Sequence, residues 1–410
     1  MKVYAVLRPI LIIAIGSIAV ALSPTVLAQD VGADIVGGAG IFRAKNPESK
    51  KRSTTRTPSK NTGARNTRTS NTALNDRAED LLDKGNEFRD SRKFVEAENS
   101  YKEILKLKSR DARAAYGLGN VYSDQQRWDD AEAAYRNAIQ WAPGDADAYV
   151  ALSVVLTQPR PSGDNAKRFA DAELFARRSV QLDPKNAVGW DRLGVALQAR
   201  GLLNSETEHS HRRAIDLDPQ FAVAYAHLAR VLNRTGRSGD AVPLYAKASE
   251  LAKDPATLNL IAESLQAEQL WPASEPVLKR ALDLDPKNPN SLVLMGRLLI
   301  VYKRYQEAEP YLKTATEVSS RAFQPFNLLA RAYLAMNRFN DAEETYERAA
   351  EFAGPGERKQ LAGAYGFEGI GDAYFKAKQS DNAARAYQKA LELDPGNKTL
   401  EQKLSKTRSH

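Results

Sequence analysis

His209 and His211 are the closest pair of histidines in a chain of 410 residues that holds four histidines and no cysteine. Two neighbouring imidazoles could ligate a metal or pass a proton, so their spacing decides what they can do. A separation of two residues puts them on nearly opposite sides of a helix, where they cannot share a metal. His211 stands where other parts of the chain carry tyrosine and is expected to pack in a core, and His227 stands alone. No serine has the turn context of an activated nucleophile, and no glycine-rich loop offers to cradle a phosphate. The lack of thiols removes a thiolate nucleophile, a lipid-attachment cysteine and a disulfide framework. Catalysis, a metal and a cofactor are therefore not expected. The chemistry open to this chain is binding through its charged and amide side chains.

The charge is unevenly placed. Formal net charge is +8, and residues 29–77 alone carry ten Lys or Arg against four Asp or Glu, whereas residues 78–410 balance 47 basic against 47 acidic groups. The first residues, MKVYAVLRPILIIAIGSIAVALSPTVLAQD, set Lys2 and Arg8 before an apolar run from Ile10 to Leu22, then Pro24 and small residues at Val26 and Ala28. This order reads as an export signal over 1–28, cleaved before Gln29. An uncleaved anchor is the other reading, but the run spans only about two-thirds of a ~30 Å hydrocarbon core. The mature chain is expected in the periplasm or outside the cell, with no transmembrane segment after cleavage. Residues 29–77 are crowded with Ser, Thr, Asn, Lys and Arg, which bury too little surface to offset their ordering entropy, so they are expected to form a flexible basic tether. Such a tether can touch an anionic surface or serve as a solubilising linker.

The elements that position the binding residues emerge from a fixed period. A small residue recurs at Gly85, Gly119, Ser153, Gly194, Ala229, Ala262, Gly296, Ala330 and Gly371, with separations of 34, 34, 41, 35, 33, 34, 34 and 41. A second column runs Tyr101, Tyr135, Ala176, His211, Tyr245, Leu278, Leu312, Tyr346 and Tyr387. A third runs Ala97, Ala131, Ala172, Thr207, Ala241, Ser274, Ala308, Ala342 and Ala383. Offsets of three and four, as in Ala131, Tyr135 and Ala138, place these residues on one helical face. The small residues let two helices approach, and the large ones fill the space beyond the crossing. Thr207 and Ser274 in the alanine column suggest looser packing there.

This pattern resembles the tetratricopeptide repeat family, a 34-residue helix-turn-helix with W-x2-L-G-x2-Y, then A-x3-F, then P. Trp190, Leu193, Gly194 and Leu197 carry it in one repeat, and Gly119, Tyr122, Ala131, Tyr135 and Pro143 in another. The closing turns LDPKN at 182–186, LDPQF at 217–221, LDPKN at 284–288 and LDPGN at 393–397 complete it. The resemblance implies an all-α solenoid of about nine tetratricopeptide helix-turn-helix repeats forming a superhelix with a C-terminal capping helix. Repeats are placed at 78–111, 112–145, 146–186, 187–221, 222–254, 255–288, 289–322, 323–356 and 357–396, and the cap at 397–410. Two insertions interrupt the period. The first, containing QPRPSGDNAKRF, is expected to protrude as a loop, and the second, between Gly354 and Gly371, to start a first helix early.

Members of this family bind extended peptides or partner proteins on the concave face lined by the first helix of each repeat. The residue after the small column should face that groove, which selects Asn86, Asn120, Arg230, Glu263, Arg297 and Arg331, with Asn259 and Asn327 one turn earlier. Arginines there can grip carboxylates bidentately, or Arg230, Glu263 and Arg297 can pair across neighbouring helices. The family's lysine–asparagine carboxylate clamp has no match, because Leu82 precedes Asn86. The expected function is a non-enzymatic, exported protein-interaction scaffold for envelope assembly or secretion, with a protein or peptide partner that an arginine wall would prefer acidic. The alternative is a polyanion- or glycan-binding module in which the basic tether binds and the array is a spacer. Nucleic acid is not expected as a partner, since the array is not basic.

Overall fold

The computed structural model describes residues 43–49, 65–158, 160 and 164–407, with side chains in the first helix described from Thr72. The expected signal at 1–28 lies outside the described residues. Helices follow in pairs: α1 Arg65–Asp90 with α2 Phe94–Leu107, α3 Ala112–Asp124 with α4 Trp128–Trp141, α5 Ala146–Leu156 with α6 Asn165–Leu182, α7 Ala187–Ala199 with α8 Ser205–Leu217, and α9 Ala222–Arg234 with α10 Ser238–Leu251. The series continues with α11 Pro255–Ala267 and α12 Trp271–Leu284, α13 Pro289–Val301 and α14 Tyr305–Val318, then α15 Phe323–Ala335 and α16 Phe339–Glu351. It closes with α17 Pro355–Ala362, α18 Phe367–Lys376, α19 Ser380–Leu393 and α20 Lys398–Thr407.

The three residue columns explain the pairing. Every residue of the second and third columns is at most 2% exposed, and a Cβ built on Gly119 would lie 2.5 Å from the Tyr135 ring, so only glycine lets α3 sit this close to α4. Thr207 and Ser274 do not loosen the packing. Both are fully buried, and their hydroxyls donate to the Leu202 and Trp271 carbonyls at 2.7 and 2.8 Å, which offsets the desolvation of a polar group.

Turn chemistry starts and stops the helices. In DPKN the Asp183 carboxylate accepts from the Lys185 amide at 3.0 Å, and Asn186 then caps α7 by accepting from the Gly189 amide at 3.1 Å. Among the described residues, the turn inside every pair but α5–α6 uses a left-handed residue: Arg92, Gln126, Gly201, Gly236, Gln269, Lys303, Asn337 and Lys378 all have φ between 57° and 82°.

First helices of successive pairs touch one another from α1 to α15, while second helices pack on the first helix of the next pair. An array held together along one set of helices bends toward that set, so the first helices line the inner face.

Three local departures stand out. The first insertion is partly absorbed in α6, which runs 18 residues, and its remainder lies between Leu156 and Asn165. The second does not lengthen a helix. It forms the separate α17, and the chain breaks at Gly363–Gly366, where a side chain on Gly366 would overlap the Leu361 carbonyl. At the other end α1 already begins at Arg65, within the residues expected to be tether.

Candidate functional site

Residues 43–49, Arg-Ala-Lys-Asn-Pro-Glu-Ser, also depart from the expected tether: they lie against α1 and α3. The backbone carbonyls of this irregular segment are taken in turn. Arg89 donates to Ala44 O at 2.7 Å, Asn120 to Lys45 O at 2.9 Å, Asn86 to Pro47 O at 2.9 Å and Arg113 to Glu48 O at 3.3 Å. Two of the donors, Asn86 and Asn120, are residues the period assigned to the groove. They occupy equivalent positions on consecutive first helices.

What aims these carboxamides is the second column of the repeat. Tyr101 donates its hydroxyl to Asn86 Oδ1 at 2.8 Å, and Tyr135 does the same to Asn120 Oδ1 at 2.8 Å. With its oxygen held by a core tyrosine, each asparagine can only turn its NH2 group outward, toward an acceptor. Burial pushes both phenols up from their usual range, so they stay protonated and keep donating. Asn120 is fully buried beneath the segment. The signal for this device was present in the sequence as an asparagine after the small column and a tyrosine fifteen residues on.

Side chains of the segment are read as well. The Arg43 guanidinium donates to Arg89 O at 2.9 Å and pairs with Asp124 at 3.3 Å and Asp90 at 3.2 Å. Asn46 donates to Asp90 at 2.9 Å and accepts from Arg89 at 2.9 Å. Arg89 itself is 1% exposed and sits in a fork on Asp124, with contacts of 2.7 and 3.2 Å. Ala44 and Pro47 are buried, whereas Lys45 and Glu48 point to solvent. Arg89, Asp90, Arg113 and Asp124 were not singled out from sequence. Arg89 and Asp124 follow the two asparagines by three and four residues, so one more helical turn along the same face would have found them.

The inner face continues beyond the segment. A cavity of about 220 Å³ opens beside Arg43 and Lys45 and is walled by Val150, Val188, Phe221 and Val223, with Asp147 and Arg192 at its polar side. Farther along, the expected groove residues are engaged within the array. Asn259 donates to Asn288 at 3.0 Å and accepts from Ser291 at 2.7 Å, so it supports the cap of α13. Arg230 is 9% exposed and faces Glu268 at 3.6 Å. Arg297 forks onto Gln266 Oε1 at 2.9 and 2.7 Å, and half-buried Glu263 lies on the same helix as that glutamine. Asn327 is 2% exposed. Arg331 stacks over the Tyr365 ring at 5.2 Å, while Asp372, at the equivalent position of the last repeat, accepts from Tyr387 at 2.7 Å and from Lys403 at 2.7 Å.

His227 does not stand alone. Its Nδ1 and that of His211 each lie 2.9 Å from Asp191, and Gln198 meets His211 Nε2 at 2.8 Å. A carboxylate only accepts, so both imidazoles donate from Nδ1. Arg192 pairs with the same carboxylate at 2.9 Å. Burial pushes Asp191 up, but His227, Arg192 and the two imidazole hydrogen bonds outweigh it and hold the carboxyl well below its ordinary value. Burial pushes His227 down to about 4, against the pull of Asp191. Atoms of Asp191, His211 and His227 lie within 4.8 Å of one another, close enough to be read as a metal triad. Arg192 on the carboxylate and Gln198 on the second nitrogen of His211 extend it into a buried hydrogen-bond network, in which His227 Nε2 meets no hydrogen-bond partner among the described residues.

Tetratricopeptide repeat models match residues 82–146 and 118–187, 224–258, 303–361 and 364–397, together more than half of the chain. The chain belongs to the tetratricopeptide repeat family. No curated protein sequence matches it. Among solved structures it is similar to MamA, at 21% identity over 43% of this chain and 91% of that chain, with a TM-score of 0.36. It is similar also to TTC0263, a thermophilic repeat protein of Thermus thermophilus, at 20% identity over 46% and 98% of the two chains and a TM-score of 0.40. The Cut9–Hcn1 hetero-tetramer of APC/C aligns at 15% identity over 82% of this chain and 63% of that chain, with a TM-score of 0.45. Among the described residues no helix is long and apolar enough to cross a membrane.

Proposed function

We propose that this repeat protein is an exported, non-enzymatic scaffold that binds extended segments of partner proteins along the inner face formed by its first helices. The observation that carries the reading is the pair Asn120–Lys45 O and Asn86–Pro47 O, each at 2.9 Å. Consecutive repeats present the same amide to carbonyls two residues apart, which is the spacing at which an extended chain repeats one edge. Backbone recognition of this kind accepts many sequences, as a scaffold requires, and the neighbouring side chains add selectivity. The cavity beside Arg43 extends the same face toward α9. On the later wall Arg297 and Arg331 favour an acidic partner segment. Export, and a role in envelope assembly or secretion, follow from the residue order at 1–28 and from a basic segment 29–77 able to meet anionic surfaces.

A photoreactive residue placed at Glu263 on the inner face, and separately at half-buried Lys247 on α10, tests the reading in the cell that makes the protein. Cross-links from position 263 that map to extended segments of exported proteins, with none from position 247, are the expected result. Equal capture from both positions, or capture from 247 alone, would remove the inner face as the binding surface.

A further inference from the structure

We propose that residues 43–49 are a built-in ligand of the α1–α3 groove, and that the groove's partner in trans is an extended segment of the same chemistry: a basic residue, a small residue, one unread position, a carboxamide and a proline. The inference rests on the peptide-binding reading above and adds a specificity and a mode of control to it.

Each position of that motif follows from a contact. The first faces Asp90, Asp124 and the Arg89 carbonyl, at 3.2, 3.3 and 2.9 Å, so it demands a cation and rejects an acid. A planar guanidinium serves three acceptors spread in this way better than a lysine ammonium does. The second is filled by Ala44, which is 6% exposed and belongs to the buried cluster of the first repeats, so a larger side chain would have to displace packed neighbours. The third, Lys45, points to solvent and is recognised only through its carbonyl. At the fourth, Asn46 gives its NH2 to Asp90 and takes a proton donor from Arg89. Aspartate there would face Asp90 with like charge, and an aliphatic residue would leave buried Arg89 short of an acceptor. Pro47 at the fifth is buried and needs no partner for an amide hydrogen it does not have.

The same contacts make the segment a competitor. Residues 50–64 join it to α1 in the same chain, and attachment through so few residues sets its effective concentration at roughly millimolar. A partner must exceed that to enter, so release of the segment, by a surface that prefers its basic residues or by cleavage, would open the groove.

The test uses the full chain and a fluorescent peptide, FRAKNPES, corresponding to residues 42–49. Anisotropy is read for the natural chain and for the R43A/N46A variant, whose changes lie in the segment and leave the array untouched. The variant is expected to bind the peptide at least about tenfold more tightly than the natural chain does. Peptides with glutamate in place of the arginine, or aspartate in place of the asparagine, should lose at least tenfold. Equal affinity of the two proteins would overturn the competition, and equal affinity of the three peptides would overturn the specificity. If the peptide binds neither protein while cross-links from position 263 persist, this inference falls and the scaffold reading stands. Peptide binding without those cross-links confines recognition to the first two repeats.

Discussion

A tyrosine hydroxyl in the core decides what an asparagine beneath a docked segment can do. Tyr135 holds the oxygen of Asn120 at 2.8 Å and thereby aims its NH2 group at a backbone carbonyl. Tyr387 repeats the arrangement on Asp372 at 2.7 Å, but a carboxylate offers no donor and is taken instead by Lys403 from α20. Half of this logic was legible in the sequence: the position of Asn86 and Asn120 follows from the period. Their occupant was not legible, because a polar, basic stretch lacks the apolar surface that normally marks an ordered segment, and its docking rests on carbonyls and on Asp90 and Asp124. The close approach that brings tyrosine to asparagine depends on Gly119, whose added Cβ would sit 2.5 Å from the Tyr135 ring, whereas one on Gly144 would meet nothing within 4 Å. Gly119→Ala should therefore cost about 1–3 kcal/mol by overpacking, and Gly144→Ala stay within about 0.5 kcal/mol. Urea melts of the two variants check this, and equal midpoints would contradict it.

At the scale of elements, helix boundaries were partly written in residue type. The DPxN turn names its own cap, since Asp183 and Asn186 each bind a backbone amide. The turn within each pair carries no such mark. Outside the α5–α6 pair its left-handed residue is glycine at Gly201 and Gly236 but arginine, glutamine, lysine or asparagine elsewhere, so the column is defined by backbone shape rather than by side chain. The short α17 was hidden for a similar reason: seven extra residues count as two helical turns until Gly363 and Gly366 break the chain. Gln126 offers a clean test, because its side chain is exposed and its φ is 58°. Removing the Cβ relieves a left-handed strain of about 1–2 kcal/mol and gives back part of it as unfolded-state entropy. Gln126→Gly should stabilise by roughly 0.5 kcal/mol, while Gln125→Gly, at φ −94°, should destabilise. Thermal melts that rank the two in the opposite order would contradict the turn assignment.

For the whole molecule the division of the core matters most. One hydrophobic cluster runs from Ala44 to Leu197 and another from Ala222 to Leu400. Between them, Asp191 and Arg192 of α7, His211 of α8 and His227 of α9 form a buried polar junction. The separation of these histidines in sequence hid it, since only the superposition of three helices brings them together. His227 is held down to about 4 in the fold, against about 6.5 in an unfolded chain, so between these values the unfolded state binds more protons. Its stabilising effect is complete above pH about 6.5 and is lost as pH falls toward 4, a loss on the order of 3 kcal/mol. Asp191, held below its ordinary range, adds to the loss only below pH about 4. Nearest-neighbour stability then lets the halves part. Calorimetry should show one transition at pH 7 and two separated ones near pH 4.5, with His227→Gln flattening the dependence. A single transition at an unchanged temperature would contradict the junction's role.

The central claim is that Asn86 and Asn120 hold an extended backbone on the inner face, and the rate of tryptic cleavage after Lys45 reads it most directly. Lys45 lies in the docked segment, and Asn120 holds its carbonyl at 2.9 Å. A protease needs that backbone free and extended in its own cleft, so only the undocked fraction is cut. In the full chain, cleavage after Lys45 should be at least about tenfold slower than in a free peptide of residues 40–52, as the undocked population requires. The N86A/N120A variant, shown by its melt to remain folded, should approach the rate of the free peptide. Identical rates for the natural chain, the variant and the peptide would contradict the account.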